Sequence, residues 1–420
     1  MSPQQTFVIV GAGLAGAKAA ETLRAEGFTG RVRLVGAETE RPYERPPLSK
    51  GYLTGSAERD SVYVHGPGWY EEQDVELRLG DPATGLNLAA REVTLGTGER
   101  VGYDKLLLAT GSAPRRLAVP GADLDGVHYL REVGDADRLR AALVGGGRRL
   151  VVVGGGWIGL EVAAAARGHG NEVTLVEPQP TPLHAVLGDE LGGMFAGLHR
   201  DHGVELRLRT GVREITGPAG RVTAVVTDAG DELPADLAVI GVGINPNVEL
   251  AETAGLAVDN GIVADQALRT CDPHVYAAGD VANAYQPRLG QHLRVEHWAN
   301  ALHGGPAAAR SMLGQRVAYD PVPYFFTDQY DLGMEYTGHA PAGGYDQLVY
   351  RGDRPGRQFI AFWLAGGRVV AGMNVNVWDV IPGIQELIRS EQPVDPGRLA
   401  DPDLPLDDVA PRRTRPGRQP

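Results

Sequence analysis

The stretch Thr6-Phe-Val-Ile-Val-Gly11-Ala-Gly13-Leu-Ala-Gly16 joins an apolar run to an alanine-rich one through three closely spaced glycines. The pattern returns in mid-chain as Leu150-Val-Val-Val-Gly154-Gly-Gly156-Trp-Ile-Gly159. The apolar runs predict strands and the alanine-rich runs predict helices. In such a unit the first glycine permits the tight turn, and the second lets the backbone approach a pyrophosphate. The third lets the helix pack closely on the strand, so each stretch predicts a dinucleotide site.

An acidic residue answers each glycine fingerprint at the expected distance of about 20 residues. Glu38 follows the strand predicted at Val32–Val35, and Glu177 closes the strand predicted at Val173–Val176. A carboxylate at this place accepts hydrogen bonds from ribose hydroxyls and repels a 2′-phosphate. A single glycine-rich turn can match by chance. Two matches, each with its acidic partner, favour an enzyme that holds two dinucleotides and passes electrons between them.

Composition and charge describe an ordinary globular protein. The chain has 420 residues, 43% hydrophobic residues and a net charge of −13, which suggests two to four domains and argues against a nucleic-acid partner. No apolar run reaches membrane-spanning length, and the first strand begins within a few residues of the N-terminus, with no signal peptide before it. We therefore expect a cytoplasmic monomer or homodimer with no membrane association.

The chain contains one cysteine, Cys271. A disulfide-type flavin reductase needs two thiols beside the flavin, so that chemistry is excluded. His199 and His202 have a helical i, i+3 spacing, but no cluster of cysteines or carboxylates completes a metal site. We predict no metal and a structural role for the histidines.

Several short motifs together resemble the FAD-dependent NADH:ferredoxin reductases of oxygenase systems, the group of putidaredoxin reductase and rubredoxin reductase. The likeness spans about residues 5 to 400. Besides the two fingerprints, the motifs are Arg45-Pro-Pro-Leu-Ser-Lys50, Ala109-Thr-Gly111, Leu160-Glu161, Ala278-Gly-Asp280, Arg294-Val-Glu-His-Trp298 and Thr327-Asp-Gln-Tyr330.

The resemblance implies an α/β fold with two Rossmann-like dinucleotide-binding domains, in the arrangement of the disulfide reductases, and a C-terminal α+β domain. An FAD domain would comprise residues 1–112 and 244–322, and an NADH domain residues 113–243. A β-rich domain would occupy residues 323–400. Residues 401–420 are rich in proline, aspartate and arginine and are predicted to be a disordered tail.

The resemblance also implies the cofactor-binding residues. The residues expected at FAD are Gly11, Gly13, Ala15, Gly16, Glu38, Arg45, Pro47, Lys50, Ala83, Ala109, Thr110, Gly111, Arg131, Gly279, Asp280, Glu296, His297 and Trp298. Those expected at NADH are Gly154, Gly156, Ile158, Gly159, Glu161, Glu177, Gly241 and Val242. Lys50 and Glu161 are the predicted catalytic residues, an ion pair that orients the nicotinamide at flavin N5.

The family's electron acceptor is a [2Fe–2S] ferredoxin that supplies a cytochrome P450 or a Rieske oxygenase. Trp298 would then belong to the docking surface or electron path, with core packing as an equal alternative. Two other functions are open: an NADH oxidase, peroxidase or CoA-disulfide reductase, and an NADH-sensing binding protein like apoptosis-inducing factor. Ser49-Lys50 stands where the first group carries its catalytic cysteine, which argues against it.

The sequence departs from the family pattern at two places. Pro182-Leu-His184-Ala185 lacks the arginine that normally supports the pyridine nucleotide. We therefore expect weaker NADH binding or a contribution from His184. Pro323-Tyr-Phe-Phe326 replaces a tryptophan-bearing stretch, so the surface that meets the electron acceptor is expected to differ.

Overall fold

The computed structural model describes residues 5–409. The chain forms two compact units, each assembled from separated segments. The first unit comprises the chain up to residue 118, with 128–144 and 240–321; the second comprises 119–127, 145–239 and the chain from 322 onward. The first unit thus gathers both segments predicted for the FAD domain. The second groups most of the segment predicted for the NADH domain with the C-terminal segment, and the three-domain boundaries stay a prediction.

The first unit is built on a parallel sheet of five strands. Their order across the sheet is Val275–Ala277, Lys105–Leu108, Thr6–Val10, Arg31–Val35 and Val75–Arg78. The central strand, Thr6–Val10, is apolar on both faces, as a parallel sheet covered on both sides requires. Phe7 and Ile9 enter one buried cluster, while Val8 and Val10 enter another.

Smaller elements complete the first unit. Its other strands are Ala83–Asn87, Glu92–Leu95 and Arg100–Gly102; Ser112–Pro114 with Ile244–Pro246; and Ile262–Ala264, Ala282–Gln286 and Gln291–Arg294. Its α-helices are Leu14–Ala25, Gly51–Thr54, Trp69–Glu72, Val133–Leu143, Glu249–Thr253 and Trp298–Met312. Short 3₁₀ helices lie at Pro46–Ser49, Arg59–Val62 and Gly279–Val281.

Two helices of the first unit cross at very short distance. Leu14–Ala25 follows the first fingerprint, and Trp298–Met312 packs against it through Gly305. A methyl group on Gly305 would lie 2.2 Å from the backbone oxygen of Ala15. The packing therefore depends on the absence of a side chain at this position.

The second unit contains a five-stranded sheet with strands Glu205–Leu208, Glu172–Glu177, Arg149–Val153, Leu237–Ile240 and Val127–His128, in that order. Glu172–Glu177 pairs in parallel with both of its neighbours. Its helices are Trp157–Gly168 and His184–Asp201. A separate antiparallel sheet consists of Val212–Thr216, Ala224–Thr227 and Glu232–Pro234. From its apolar sequence, Val222–Thr227 is expected to complete the sheet of the second fingerprint. This expectation is wrong, because Ala224–Thr227 pairs with its own sequence neighbours instead.

The C-terminal part of the second unit is an antiparallel sheet of five strands. Their order is Tyr324–Gln329, Leu332–Gly338, Arg368–Val375, Gln358–Ala365 and Gln347–Asp353. The helix Ile381–Ser390 packs on it with Ile384, Leu387 and Ile388 buried, and Pro396–Ala400 and the 3₁₀ helix Leu406–Asp408 follow. The predicted α/β fold with a β-rich C-terminal part is confirmed.

The predicted disordered tail does not fit residues 401–409. Val409 is buried in the C-terminal core, and Leu404 and Leu406 pack against the same cluster. These few apolar side chains were enough to dock a segment whose average composition favours disorder. Residues 410–420 lie outside the described residues.

A buried histidine links two layers of the second unit. His199, on the helix His184–Asp201, is fully buried, and its Nε2 lies 2.9 Å from Oε1 of Gln329 on the strand Tyr324–Gln329. Its Nδ1 lies 3.2 Å from the Tyr330 hydroxyl. Burial lowers the pKa of His199 from 6.5 to about 4, with a smaller contribution from the neighbouring His202. The imidazole is therefore neutral near pH 7.

Gly305→Ala is expected to lower the free energy of unfolding by about 1–3 kcal/mol, because the methyl group forces two helix backbones apart. The measurement is urea unfolding of the full chain. Gly193→Ala is the matched control, since Gly193 also lies inside a helix but has no atom within 4 Å of the added methyl. Equal destabilisation by both variants would contradict the close contact.

The buried His199 is expected to make folding stability fall with acidification. Between pH 6.5 and about 4 the unfolded chain binds a proton at His199 that the folded chain excludes, so stability rises with pH in this window. We expect a loss of ~2 kcal/mol from His199 between pH 7.5 and pH 5. Urea unfolding at both values should show a smaller loss for His199→Leu; an identical pH dependence would refute the assignment.

Candidate functional site

The carboxyl edge of the parallel sheet in the first unit collects the predicted FAD residues. Gly11 follows the strand Thr6–Val10 directly, and Ala109 follows Lys105–Leu108. Glu38 lies three residues beyond Arg31–Val35, and Gly279 lies two beyond Val275–Ala277. Ligands of open parallel sheets bind outside this edge. The sheet topology thus brings together segments that are far apart in the sequence.

The three glycines of the first fingerprint have three different surroundings. Gly11 has φ +118°, and a methyl group on it would lie 2.0 Å from the backbone oxygen of Ala109. On Gly16 a methyl group would lie 2.0 Å from the oxygen of Gly11. On Gly13 it would meet no atom within 4 Å. The first and third glycines are therefore required by the fold, whereas the second borders open space.

The helix Leu14–Ala25 begins at this open space. Gly13 is its N-cap, and among the described residues no side chain caps the first turn and no acidic residue lies in it. The free N–H groups and the positive end of the helix dipole favour an anion there. Ala15, in the first turn, is buried, and its Cβ would lie 3.2 Å from a methyl group on Gly279.

Arg45 ties the acidic partner of the first fingerprint to a distant segment. Its Nη2 donates to Glu38 at 2.8 Å, and its Nη1 donates to the Arg131 carbonyl at 2.5 Å and to the Tyr43 hydroxyl at 3.1 Å. Tyr43 also donates to Glu38 and accepts from the backbone of Val133. Burial raises the pKa of Tyr43, so the phenol stays a donor. Glu38 is thereby held in a fixed orientation.

A second ion pair lies beside this cluster. Arg131 Nη2 donates to the carboxylate of Asp280 at 2.9 Å, and Arg294 Nη1 donates to the Asp280 carbonyl at 3.2 Å. Burial lowers the pKa of Arg131, and nearby Arg45 adds to this. Among residues 5–409, the buried Nε of Arg131 has no hydrogen-bond partner. The cluster therefore has a buried donor left for an anionic ligand.

The segment Ala109-Thr110-Gly111 is fixed by Asn247. Thr110 donates through its hydroxyl to the Asn247 carbonyl at 2.7 Å, and the Asn247 amide donates to the Thr110 carbonyl at 2.8 Å. The Asn247 backbone N–H donates to Gly111, which has φ +68°. These bonds join two segments that the sequence separates widely.

The other predicted FAD residues occupy several elements of the first unit. Pro47 lies in the 3₁₀ helix that ends before Lys50, whose backbone N–H donates to the Pro47 carbonyl. Ala83 begins the strand Ala83–Asn87, and Trp298 begins the helix Trp298–Met312 after the N-cap His297. The Trp298 indole donates to Glu44 at 3.1 Å. The exposed Glu296 pairs with Arg294 at 2.5 Å.

The second fingerprint repeats the geometry of the first. Gly154 has φ +103°, and a methyl group on Gly159 would lie 2.1 Å from the Gly154 carbonyl. Gly156 is the N-cap of the helix Trp157–Gly168, and Ile158 in its first turn is exposed. The buried carboxylate of Glu177 accepts two backbone bonds, from Gly155 at 2.6 Å and from Gln179 at 2.8 Å.

Glu161 lies one turn into that helix and is 3% exposed. Its Oε1 accepts a hydrogen bond from the Thr327 hydroxyl at 2.6 Å. Gly241 and Val242 directly follow the strand Leu237–Ile240 and fall in the first unit, and their predicted contact with NADH stays a prediction. Lys50 belongs to the first unit and Glu161 to the second, so their predicted pairing likewise stays a prediction.

Sequence reasoning missed several residues that position the site. Tyr43, Glu44 and Asn247 carry no motif of their own, and each has a hydrogen-bond partner far along the chain. Thr327 belongs to a motif with no predicted role, and His199 was assigned a structural one. One signal was available: Thr327 and Gln329 are two residues apart in a strand, so their side chains lie on the same face and can contact each other.

The residues of the first unit fit a dinucleotide with a pyrophosphate. The fingerprint leaves open space beside an uncapped helix N-terminus, and Arg131 offers a buried donor.

In residues 5–409 no group of three or more histidines, cysteines or carboxylates is arranged to hold a metal. Within the same residues, no helix has the length and apolar character needed to cross a membrane. Cys271 is an exposed thiol.

Comparison with known families gives two matches. Residues 5–305 match the family described as pyridine nucleotide-disulphide oxidoreductase, and residues 324–410 match the reductase C-terminal family. The first match covers more than half of the chain.

Individual relatives match over nearly the whole chain. The rhodocoxin reductase of Rhodococcus erythropolis is 39% identical over 96% of this chain and 93% of its own. The ferredoxin–NAD(+) reductase component of the anthranilate 1,2-dioxygenase system of Burkholderia cepacia is 42% identical over 95% and 98%. A chain in the crystal structure of the covalent putidaredoxin reductase–putidaredoxin complex superposes with a TM-score of 0.93, at 38% identity over 96% and 98%. The predicted family resemblance is confirmed, and the chain belongs to the pyridine nucleotide-disulphide oxidoreductases.

Proposed function

We propose that this protein takes a hydride from NADH onto bound FAD and passes the electrons singly to a [2Fe–2S] ferredoxin that supplies a cytochrome P450 or Rieske oxygenase. The observation that carries the proposal is the repeated fingerprint geometry. In both copies a methyl group on the third glycine would collide with the first glycine's carbonyl. In both copies a carboxylate held by hydrogen bonds lies at or soon after the end of the second strand, Glu38 in the first and Glu177 in the second. One chain thus carries two dinucleotide cradles.

The first cradle suits the resident cofactor. Gly13 would face the pyrophosphate, Arg131 would donate to it, and Glu38 would meet the adenosine ribose. Asp280, held by Arg131, would bind the ribityl chain. Bound FAD accepts two electrons together and releases them one at a time, as a [2Fe–2S] acceptor requires. The proposed role for these residues is to hold and orient that cofactor.

The second cradle suits NADH. Both oxygens of the Glu177 carboxylate accept backbone bonds, so its negative charge lies at a fixed place beside the turn. A 2′-phosphate there would meet like charge, which supports NADH over NADPH. Lys50 is the candidate cation and Glu161 the candidate carboxylate that orients the nicotinamide ring. The exposed single cysteine supports a route without thiol chemistry.

The names of the relatives support a ferredoxin as the electron acceptor. One is a reductase component of a dioxygenase system, and a matching structure is a complex of a reductase with putidaredoxin. On this chain, the Trp298 indole is held by Glu44 beside the Arg294–Glu296 pair. We place the ferredoxin contact at this surface.

Stopped-flow reduction by NADH, followed by cytochrome c reduction with and without a [2Fe–2S] ferredoxin, tests the function. We expect fast reduction by NADH and cytochrome c turnover that depends on added ferredoxin. Lys50→Met should slow the first step on the order of tenfold, because a cation is lost where negative charge develops. Ferredoxin-independent turnover of peroxide or of a CoA disulfide would refute the proposal.

Gly13→Val should weaken FAD binding by about tenfold or more, or about 1.4 kcal/mol, and leave the fold intact. Gly13 has φ −92° and ψ −168°, which valine adopts readily, and a Cβ added there would meet no atom within 4 Å. FAD content after gel filtration and urea unfolding of the apoprotein measure the two effects. Gly16→Val should instead lose the fold, since its Cβ would collide with the Gly11 carbonyl. Full FAD retention by Gly13→Val would show that the cofactor lies elsewhere.

A further inference from the structure

A chain of hydrogen bonds runs from Glu161 into the interior of the second unit. Thr327 Oγ1 lies 2.6 Å from Glu161 Oε1, and Gln329 Nε2 lies 3.1 Å from Thr327 Oγ1. Gln329 Oε1 lies 2.9 Å from His199 Nε2, and His199 Nδ1 lies 3.2 Å from the Tyr330 hydroxyl. Thr327, Gln329 and His199 are each at most 1% exposed.

The chemistry of the groups gives this chain a direction. An ionised carboxylate only accepts, so the Thr327 hydroxyl donates to Glu161. The Thr327 oxygen then accepts from the Gln329 amide, which turns the amide oxygen toward His199. His199 must therefore carry its proton on Nε2, and its Nδ1 accepts from Tyr330. Every donor along the chain points toward Glu161, and donors aligned in this way strengthen one another.

Burial keeps the imidazole of His199 neutral. Burial lowers its pKa to about 4, so the ring offers one donor and one acceptor near neutral pH, as the chain requires. Facing it are the Gln329 amide, the Tyr330 phenol and His202. The His202 ring stacks on Tyr330 at 3.8 Å, and its Nε2 lies 3.8 Å from Asp331.

We propose that His199 is a positioning residue, which acts through Gln329 and Thr327 to fix the carboxylate of Glu161 in the orientation it needs for NADH. The inference rests on the proposed function, since it assigns a task to the same carboxylate. The hydrogen bond from Thr327 restrains the rotation of the Glu161 carboxylate about its own axis. Loss of any link in the hydrogen-bond chain weakens this restraint.

The kinetic test uses the FAD-loaded full chain and stopped-flow reduction by NADH. Thr327→Val, Gln329→Leu and His199→Leu should each slow reduction on the order of tenfold, with the NADH dissociation constant changed less than about twofold. Thr327→Ser should restore the rate because it keeps the hydroxyl. Combining two of the slow variants should slow reduction little further, since each alone already breaks the chain.

Thr337→Val is the matched control. Thr337 is also fully buried on the C-terminal sheet, but its hydroxyl donates to the Pro323 carbonyl and takes no part in this chain. This variant should reduce at the wild-type rate. If NADH reduces the wild type normally and reduces Thr327→Val, Gln329→Leu and His199→Leu at the same rate, the role of the hydrogen-bond chain is refuted while the proposed function stands. If wild type is not reduced by NADH, the proposed function falls, and the role of the chain falls with it.

A second readout does not depend on activity. With ¹⁵N-labelled histidine, the ring signal of His199 is identified among eleven histidines by its loss in His199→Leu. At pH 7 the wild-type signal should show a neutral ring protonated at Nε2, and Thr327→Val should weaken that preference because the amide can turn. A ring protonated at Nδ1, or a charged ring, in the wild type would overturn the proposed direction of the chain.

Discussion

The close contact between each fingerprint helix and its own turn is the constraint on which the rest of the structure depends. In both copies the third glycine brings the helix backbone so near the first glycine's carbonyl that a single methyl group would not fit. This contact places the N-terminus of each helix at the carboxyl edge of its sheet. The open space at Gly13 and the uncapped start of the helix Leu14–Ala25 lie at this edge.

The two acidic partners are held by different means. Glu38 is fixed by side chains, Arg45 and Tyr43, that come from the loop after its strand. Glu177 is fixed by the backbone of its own fingerprint and of Gln179. The first arrangement couples the acidic residue to Arg131 and Asp280, and so links it to the rest of a built pocket. The second is self-contained, because both of its donors belong to the turn and the residues that follow the strand Glu172–Glu177.

Local sequence was sufficient to predict what local geometry determines. The fingerprints, their strands and helices, and the acidic residues about 20 positions later follow from short-range rules, and the structure has them. Contacts such as Thr110 with Asn247, or Glu161 with Thr327, join residues with no shared periodicity, so no window of sequence could reveal them. His199 illustrates the limit, because its i, i+3 spacing to His202 drew attention to metals while its actual partner is on a distant strand.

The errors have physical causes of the same kind. The strand Ala224–Thr227 has the apolar sequence of a sheet member, but short turns on either side let it pair with its neighbours first. The segment around Leu404–Val409 is polar on average, yet its few apolar side chains face the C-terminal core. In both cases the composition of the segment was read correctly, but its place in the structure depends on the contacts that its apolar side chains and backbone make.

The segmented first unit has a consequence for biosynthesis. Its central strand, Thr6–Val10, leaves the ribosome long before Val275–Ala277, which is an edge strand of the same sheet. The helix that packs on Leu14–Ala25 through Gly305 emerges later still. During translation the second unit's first parallel strands are complete before this sheet can close. The strand Thr6–Val10 and its neighbours therefore cannot complete their sheet early, and the site proposed for FAD is finished only after the segment around Gly305 has been made.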